Sequence, residues 1–382
     1  MLPKIRQRWL RPIGLLASLM TLYLVPSWYC GRDAQAWFNG DPGLQRALAE
    51  EQIHFEEKDD RHRVGPTQNR FSGEWALVTH QMTALGLAQL CLAHPDWSAR
   101  YAPWATRAAL KSMSPEMRDF GTRAWNEDAL SSLAGSHGHA YLAYAALAIG
   151  MARLVDSAFP VREGRQHDAL IAAYERRLLA SPTGLIETYP GEAYPTDVAA
   201  VAAAIAVHGR ATKADHRKVL DHWVRQVRRV QLDPQSGLII QRLSAKDGKR
   251  HDAPRGSGTG LAAYFAGFVD RPLFVQLADG LWQNETALLR FGAIREYAKG
   301  YSGDGDTDSG LVLFGVSVAA TGFALAPSRA LRRLHEFELL YRTTELFGIR
   351  IQQDARTRFA TGGPIGNALM LAFLTSGPEV VE

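Results

Sequence analysis

Two stretches of this chain are apolar all the way round a helix. "DVAAVAAAIAVHG" (197–209) and "GHAYLAYAALAIGMA" (138–152) leave no polar stripe for water. A helix of that kind is buried on every side. Amphipathic segments such as "KADHRKVLDHWVRQVRRV" (213–230) alternate with them. From residue 41 onward the period is mostly helical, and the spacing predicts helices over 42–55, 74–93, 99–113, 138–155, 165–180, 197–209, 213–230, 257–268, 271–285, 310–325, 328–345 and 365–375. Short Gly/Pro breaks such as "AHPDWS" join them in pairs. Buried and amphipathic helices in alternation imply an inner and an outer ring, so the expected fold is all-α, an (α/α)6-type barrel or toroid. Residues 233–258 break the pattern and read as a β-hairpin or long loop inserted between helices. Residues 37–382 are expected to form one such domain.

The 382 residues carry a net charge of +4. Residues 1–36 hold Lys4, Arg6, Arg8, Arg11 and Arg32 against Asp33, so the remainder is formally neutral. That excludes the electrostatic footprint of a nucleic-acid binder. Four basic residues precede an uncharged stretch at 12–31. Residues 1–36 therefore read as a signal peptide, cleaved after Ala34-Gln35-Ala36, or as an N-terminal membrane anchor. Either places the body outside the cytoplasm, periplasmic or anchored to the inner membrane and facing the periplasm. Contact with a membrane is expected only through residues 12–31. Cys30 and Cys91 form no zinc or redox spacing.

Three segments concentrate polar chemistry. "GYSGDGDTDSG" (300–310) holds Asp304, Asp306 and Asp308. An EF-hand counted from Asp304 needs Gly at the sixth position and Glu at the twelfth, and finds Ser309 and Gly315. Asp308 or Ser309 as the cap of a following helix explains one carboxylate, and Asp306 or Asp308 is expected to point into a cavity. "GSHGHAYLAY" (135–144) contains His137 and His139 on different helix faces, which disfavours a two-histidine metal site. A satisfied core histidine is the plainer reading of His139. "ETYPGEAYPTDVAAVAAA" (187–204) crowds Glu187, Tyr189, Glu192, Tyr194 and Asp197 ahead of a buried helix, with Thr196 or Asp197 expected as its cap. Weaker candidates are Glu74, Trp75 and His80 in "FSGEWALVTHQ" (71–81).

The order of these motifs resembles that of the linalool dehydratase-isomerase family, exported α/α-barrel enzymes acting on monoterpene alcohols. "GHAYL" (138–142), "IETYPGEAYPTD" (186–197), the spacing from Asp197 through Trp223 to "LDPQSG" (232–237), and "GDGDTDSGLVL" (303–313) carry the likeness. The resemblance puts His139 at the family's active-site histidine. Asp197 and Thr188 stand where the family has loop cysteines. The family's Asp–Tyr pair ahead of the first inner helix has no counterpart in 52–71, and Gly258 falls near its later tyrosine.

These residues imply a cofactor-independent acid/base lyase or isomerase on a small alcohol, using no metal. The expected catalytic residues are His139, Asp197, Asp306 and Asp308. The expected substrate contacts are Trp75, Tyr189, Glu192 and Tyr194. A carbohydrate-active α/α toroid and a non-catalytic envelope protein are the alternatives. Convergence of His139, Asp197 and Asp306 on one cavity favours an enzyme. The number of copies in the assembly stays open.

Overall fold

The computed structural model describes residues 4–58, 70–135, 138–306 and 309–377. The described chain is mostly helical with a few small sheets. In chain order the helices are α1 (Lys4–Gly31), α2 (Ala34–Asn39), α3 (Pro42–Lys58), α4 (Arg70–Ala93), α5 (Ser98–Ser112), α6 (Pro115–Trp125), α7 (Ala143–Val155), α8 (Val161–Ala180), α9 (Pro195–Thr212) and α10 (Arg217–Gln226). They continue as α11 (Gly256–Ala266), α12 (Arg271–Gln283), α13 (Val318–Phe323), α14 (Leu325–Ala330), α15 (Leu334–Gly348) and α16 (Gly363–Thr375).

The apolar pattern sorts the helices as expected. Every residue of α7 from Ala143 to Ala152 is buried, and so is every residue of α9 from Pro195 to Ile205. Their alanines let the two helices pack closely, and Val207 lies against Gly150. By contrast α10 buries only Val219, Trp223 and Val224, one stripe of an otherwise polar helix. Gly73–Ala93 is long and apolar enough to cross a bilayer, but it is 83% buried, as a core helix is. Packing neighbours run α4 to α7, α7 to α9, α9 to α11, α11 to α13 and α14, then to α16, which returns to α4. Several starts are fixed by local chemistry. Asp270 caps α12 by accepting from Leu273 N at 2.8 Å, and Ser317 caps α13 by accepting from Ala320 N at 3.0 Å.

Two departures concern strands. Strands β1 (Glu285–Leu288), β2 (Phe291–Arg295), β3 (Val312–Leu313) and β4 (Val316–Ser317) form an antiparallel sheet in the order β1-β2-β4-β3. The helix expected over 310–325 therefore starts only at Val318, with Ser317 as its cap in place of Ser309. A hairpin of β5 (Arg350–Gln353) and β6 (Arg356–Phe359) precedes α16. The insertion at 233–258 is a long loop held by isolated bridges such as Ile240↔Pro254 and Leu243↔Arg250.

The expected boundary after residue 36 falls inside α2. Ala34, Trp37 and Phe38 are buried in the core, and Asp33 pairs with Arg350.

Candidate functional site

The helices α4, α7, α9, α11 and α16 bring their N-terminal turns to one end of the molecule. There Glu74, Trp75, Val78, Tyr144, Thr196, Asp197, Ser257, Gly258, Leu261, Ile365 and Leu369 line a cavity of about 110 Å³. Tyr189, Tyr194 and Gln241 reach it from the loops, and Phe323 from α13.

Asp197 is the chemical centre of this wall. Neither it nor Thr196 caps α9: Tyr194 holds the cap position, and Thr196 donates its hydroxyl to Gly258 O at 3.0 Å. The Asp197 carboxyl is 6% exposed and receives two hydroxyls, Tyr144 at Oδ1 and Thr188 at Oδ2, both at 2.6 Å. Burial pushes its pKa up, and the two hydroxyls, which favour the ionised form, only partly offset that. The result is a carboxyl biased toward its proton, in the wall of the cavity.

Two further carboxyls reach the cavity through hydroxyls. Glu74 accepts from Tyr189 OH at 2.6 Å and is half-buried, as is Trp75 beside it. Glu296 is fully buried at the end of β2, accepts the Ser257 hydroxyl at 2.7 Å, and burial raises its pKa against the opposing Ser257 bond. Gln241 is 5% exposed, and its Oε1 has no hydrogen-bond partner among the described residues. Gly258 makes room for it: a Cβ there would lie 2.3 Å from Gln241 Oε1.

The structure thus gathers Asp197, Trp75, Tyr189 and Tyr194, and it leaves others off the cavity wall. His139 takes a left-handed conformation, φ 66°, at the start of the turn leading into α7. Its ring packs on Trp125 at 4.6 Å and Tyr141 at 6.2 Å, behind the Tyr141–Tyr189 stack. That is the core-histidine reading. Glu192 accepts from Tyr194 OH at 2.9 Å and supports that ring instead of facing the cavity. Asp306 pairs with Arg255 and accepts Ser309 N at 2.9 Å, closing a surface turn. Arg255 also holds Asp252 at 2.7 Å. Burial raises the Asp306 carboxyl, but Ser309 and Arg255 outweigh it and leave its pKa lowered. Asp304 is exposed. Asp308 and His137 lie outside the described residues. Tyr144, Gln241, Ser257 and Glu296 carried no local motif that would single them out. Tyr144 and Ser257 sit in the first turns of α7 and α11, whereas Gln241 lies in the 233–255 loop and Glu296 follows β2.

A separate cluster holds His167, Asp168 and His208, whose ligand atoms lie within 4.8 Å of one another. Arg153 Nη1 stands 2.5 Å from Asp168 Oδ1 and 3.0 Å from His167 Nδ1. The guanidinium already supplies the positive charge that a cation would bring there.

No family model matches the chain, and no curated protein matches it.

Proposed function

We propose that the protein is a cofactor-independent acid/base enzyme, a lyase or isomerase, acting on a small alcohol within an α/α toroid similar to that of the linalool dehydratase-isomerase family. The closed order of neighbours through α4, α7, α9, α11, α13 with α14, and α16 supports six inner helices in a ring, with α3, α5, α8, α10, α12 and α15 outside them. The uncharged stretch 12–31 lies within α1, which packs on α15, and this supports an uncleaved anchor with the body outside the cytoplasm.

One observation carries the chemistry. Asp197, buried and biased toward its proton, shares a largely apolar cavity with the hydroxyl-bonded carboxyl of Glu74. Elimination needs an acid for the leaving hydroxyl and a base for a carbon-bound proton. Asp197 delivers its proton to the alcohol oxygen, directly or through Tyr144. The C–O bond breaks and water leaves. Glu74 takes the proton from the adjacent carbon, whose C–H electron pair becomes the new π bond. Return of the Glu74 proton to Asp197 through water resets the site. Re-addition of water at another carbon gives the isomeric alcohol. Gln241 Oε1 is placed to accept from the substrate hydroxyl.

The binding-protein reading draws on His139 and Asp306 lying off the cavity. The acid/base reading needs neither, because Glu74 and the Ser257–Glu296 pair reach the wall instead. The test is product analysis by gas chromatography, with the full chain in detergent incubated with linalool and geraniol. An alkene or isomeric alcohol from wild type and not from Asp197→Asn supports the reading. No product from either alcohol, together with release of sugar from polysaccharides, overturns it in favour of a carbohydrate enzyme. No turnover of any of these leaves the binding protein.

A further inference from the structure

The cavity end of the molecule is also its apolar end. The α1–α2 segment runs antiparallel to α15: Phe38 packs on Phe337 at 5.4 Å, and Gly31 lies so close to Arg342 that a Cβ would come within 2.6 Å of its Nε. Asp33 pairs with Arg350, just past the end of α15. Followed backward, α1 therefore leaves the body beyond the C-terminal end of α15. That is the end where β5–β6 leads into the cavity-lining first turns of α16. The β1–β2 sheet lies there too. Arg342 Nη1 donates to Arg290 O at 3.4 Å, and Gly256, at the start of α11, bonds to Glu296 O at 2.7 Å.

Two hairpin turns and the end of α15 around this exit carry exposed apolar side chains. Leu288 is 74% exposed, Phe314 fully so, and Leu289, Phe347 and Ile349 face outward as well. Three of these hold strained backbone: Leu289 at φ 51°, Phe314 at 52° and Ile349 at 51°. Two-residue hairpin turns of this hand favour Asn-Gly. Here Leu289-Arg290 and Phe314-Gly315 occupy them, at a cost in backbone strain that core packing does not recover. Trp28 and Tyr29 are exposed at the body end of the uncharged stretch, where aromatic residues mark a membrane interface.

We propose that this end docks onto the lipid bilayer that holds α1, with the Leu288–Leu289 and Phe314 hairpin turns and the Phe347–Ile349 end of α15 inserted at the headgroup level. The cavity then opens at the membrane, and the substrate class becomes lipid-soluble alcohols drawn from the bilayer. The substrate clause rests on the acid/base reading; the docking rests on the anchor reading of residues 12–31 alone. Continuity with α1 selects the occupant, since a helix with four basic residues ahead of its uncharged stretch has the charge pattern of a membrane anchor.

The test places a single environment-sensitive fluorophore on the full chain at Leu289→Cys, Phe314→Cys or Phe347→Cys, with Asp215→Cys beyond the opposite end of α9 as reference. Cys30 and Cys91 are buried, and unsubstituted protein controls for their labelling. The protein is reconstituted into vesicles of phosphatidylethanolamine with phosphatidylglycerol. Docking predicts blue-shifted emission and quenching by nitroxide-labelled lipid at the three sites, and neither at Asp215→Cys. Water-like emission at the three sites overturns it. So does a blue shift without lipid quenching, which would place a second protein copy on this face. In turnover, Leu289→Asp with Phe314→Asp lowers conversion of a vesicle-borne alcohol by about tenfold or more. Conversion of the same alcohol in detergent is unchanged. Absence of turnover in both media would count against the acid/base reading while the fluorescence still decides the docking.

Discussion

The Tyr144 hydroxyl meets Asp197 Oδ1 at 2.6 Å, joining the first turns of α7 and α9 across the wall of the cavity. Thr188 closes the other oxygen at the same distance. Both hydroxyls sit where they stabilise a charge that burial opposes, so they set how strongly Asp197 keeps its proton.

Asp197→Asn is expected to lower turnover by about 10²–10⁴-fold, the range for a lost general acid. The pH profile gives the sharper reading. An acid with a raised pKa works below that value and fails as pH rises through it. Tyr144→Phe and Thr188→Val each remove a bond that lowers the Asp197 pKa. Each variant should therefore move the alkaline limb to higher pH while reducing the maximal rate. A limb that stays in place in both variants, measured as kcat against pH, would assign it to another group.

Gly258 keeps the cavity open for Gln241. The approach of 2.3 Å that a Cβ would make to Gln241 Oε1 obliges the amide to move. Because that atom is the end of a flexible side chain, Gly258→Ala should fold with a stability change of about 1 kcal/mol or less. It should raise KM by about tenfold with little change in kcat, as loss of a substrate hydrogen bond does. Steady-state kinetics beside a thermal melt would check this. An unchanged KM would remove Gln241 from the site.

Parts of this arrangement were legible in the sequence. The unbroken apolarity of 138–152 and 197–209 identified α7 and α9 as helices buried on every side. The crowding of 187–197 pointed to Asp197, Tyr189 and Tyr194 at the start of one of them. The sheets were not legible. Strands of two to five residues, such as Val312–Leu313, are too short to show a period of two, and their turns lack the Asn-Gly signature. His139 carried two readings. Its position beside Gly138 fits a site, but at the left-handed position its ring packs between Trp125 and Tyr141. Ser257 and Glu296 are 39 positions apart and meet only because β2 ends against α11.

Stability should be lost toward both ends of the pH scale, with opposite signs from identifiable groups. Glu296 has a folded pKa raised above 4.5, mainly by burial. Its contribution is full below the unfolded value and is lost as pH rises through the folded one. Glu296→Gln should therefore melt closer to wild type in acid and gain on it as pH rises. His167 is fully buried, and burial lowers its pKa from 6.5 to about 3. Its contribution is present above 6.5 and declines as pH falls toward about 3. His167→Gln should lose less stability than wild type on acidification. Melting temperatures of the three proteins from acid to alkaline pH test both slopes, and parallel curves would contradict the assignments.

The Arg255–Asp306 pair gives Asp306 a role apart from the cavity. The Arg255 side chain is 10% exposed and holds both Asp252 and Asp306 beside the first turn of α11, while the Asp306 side chain is 41% exposed. Solvent screening reduces the value of so open a carboxylate, so Asp306→Asn should cost about 1 kcal/mol or less. Its lowered pKa means that this contribution is present above the unfolded value and fades as pH falls. The Asn variant should thus melt below wild type at neutral pH and converge with it in acid. Arg255→Met leaves two carboxylates without their partner and should cost about 1–3 kcal/mol. Neither change touches the cavity acid, so the alkaline limb of kcat should stay where wild type has it. A displaced limb in Asp306→Asn, with the fold intact by melting, would return Asp306 to the chemistry and remove it from the scaffold.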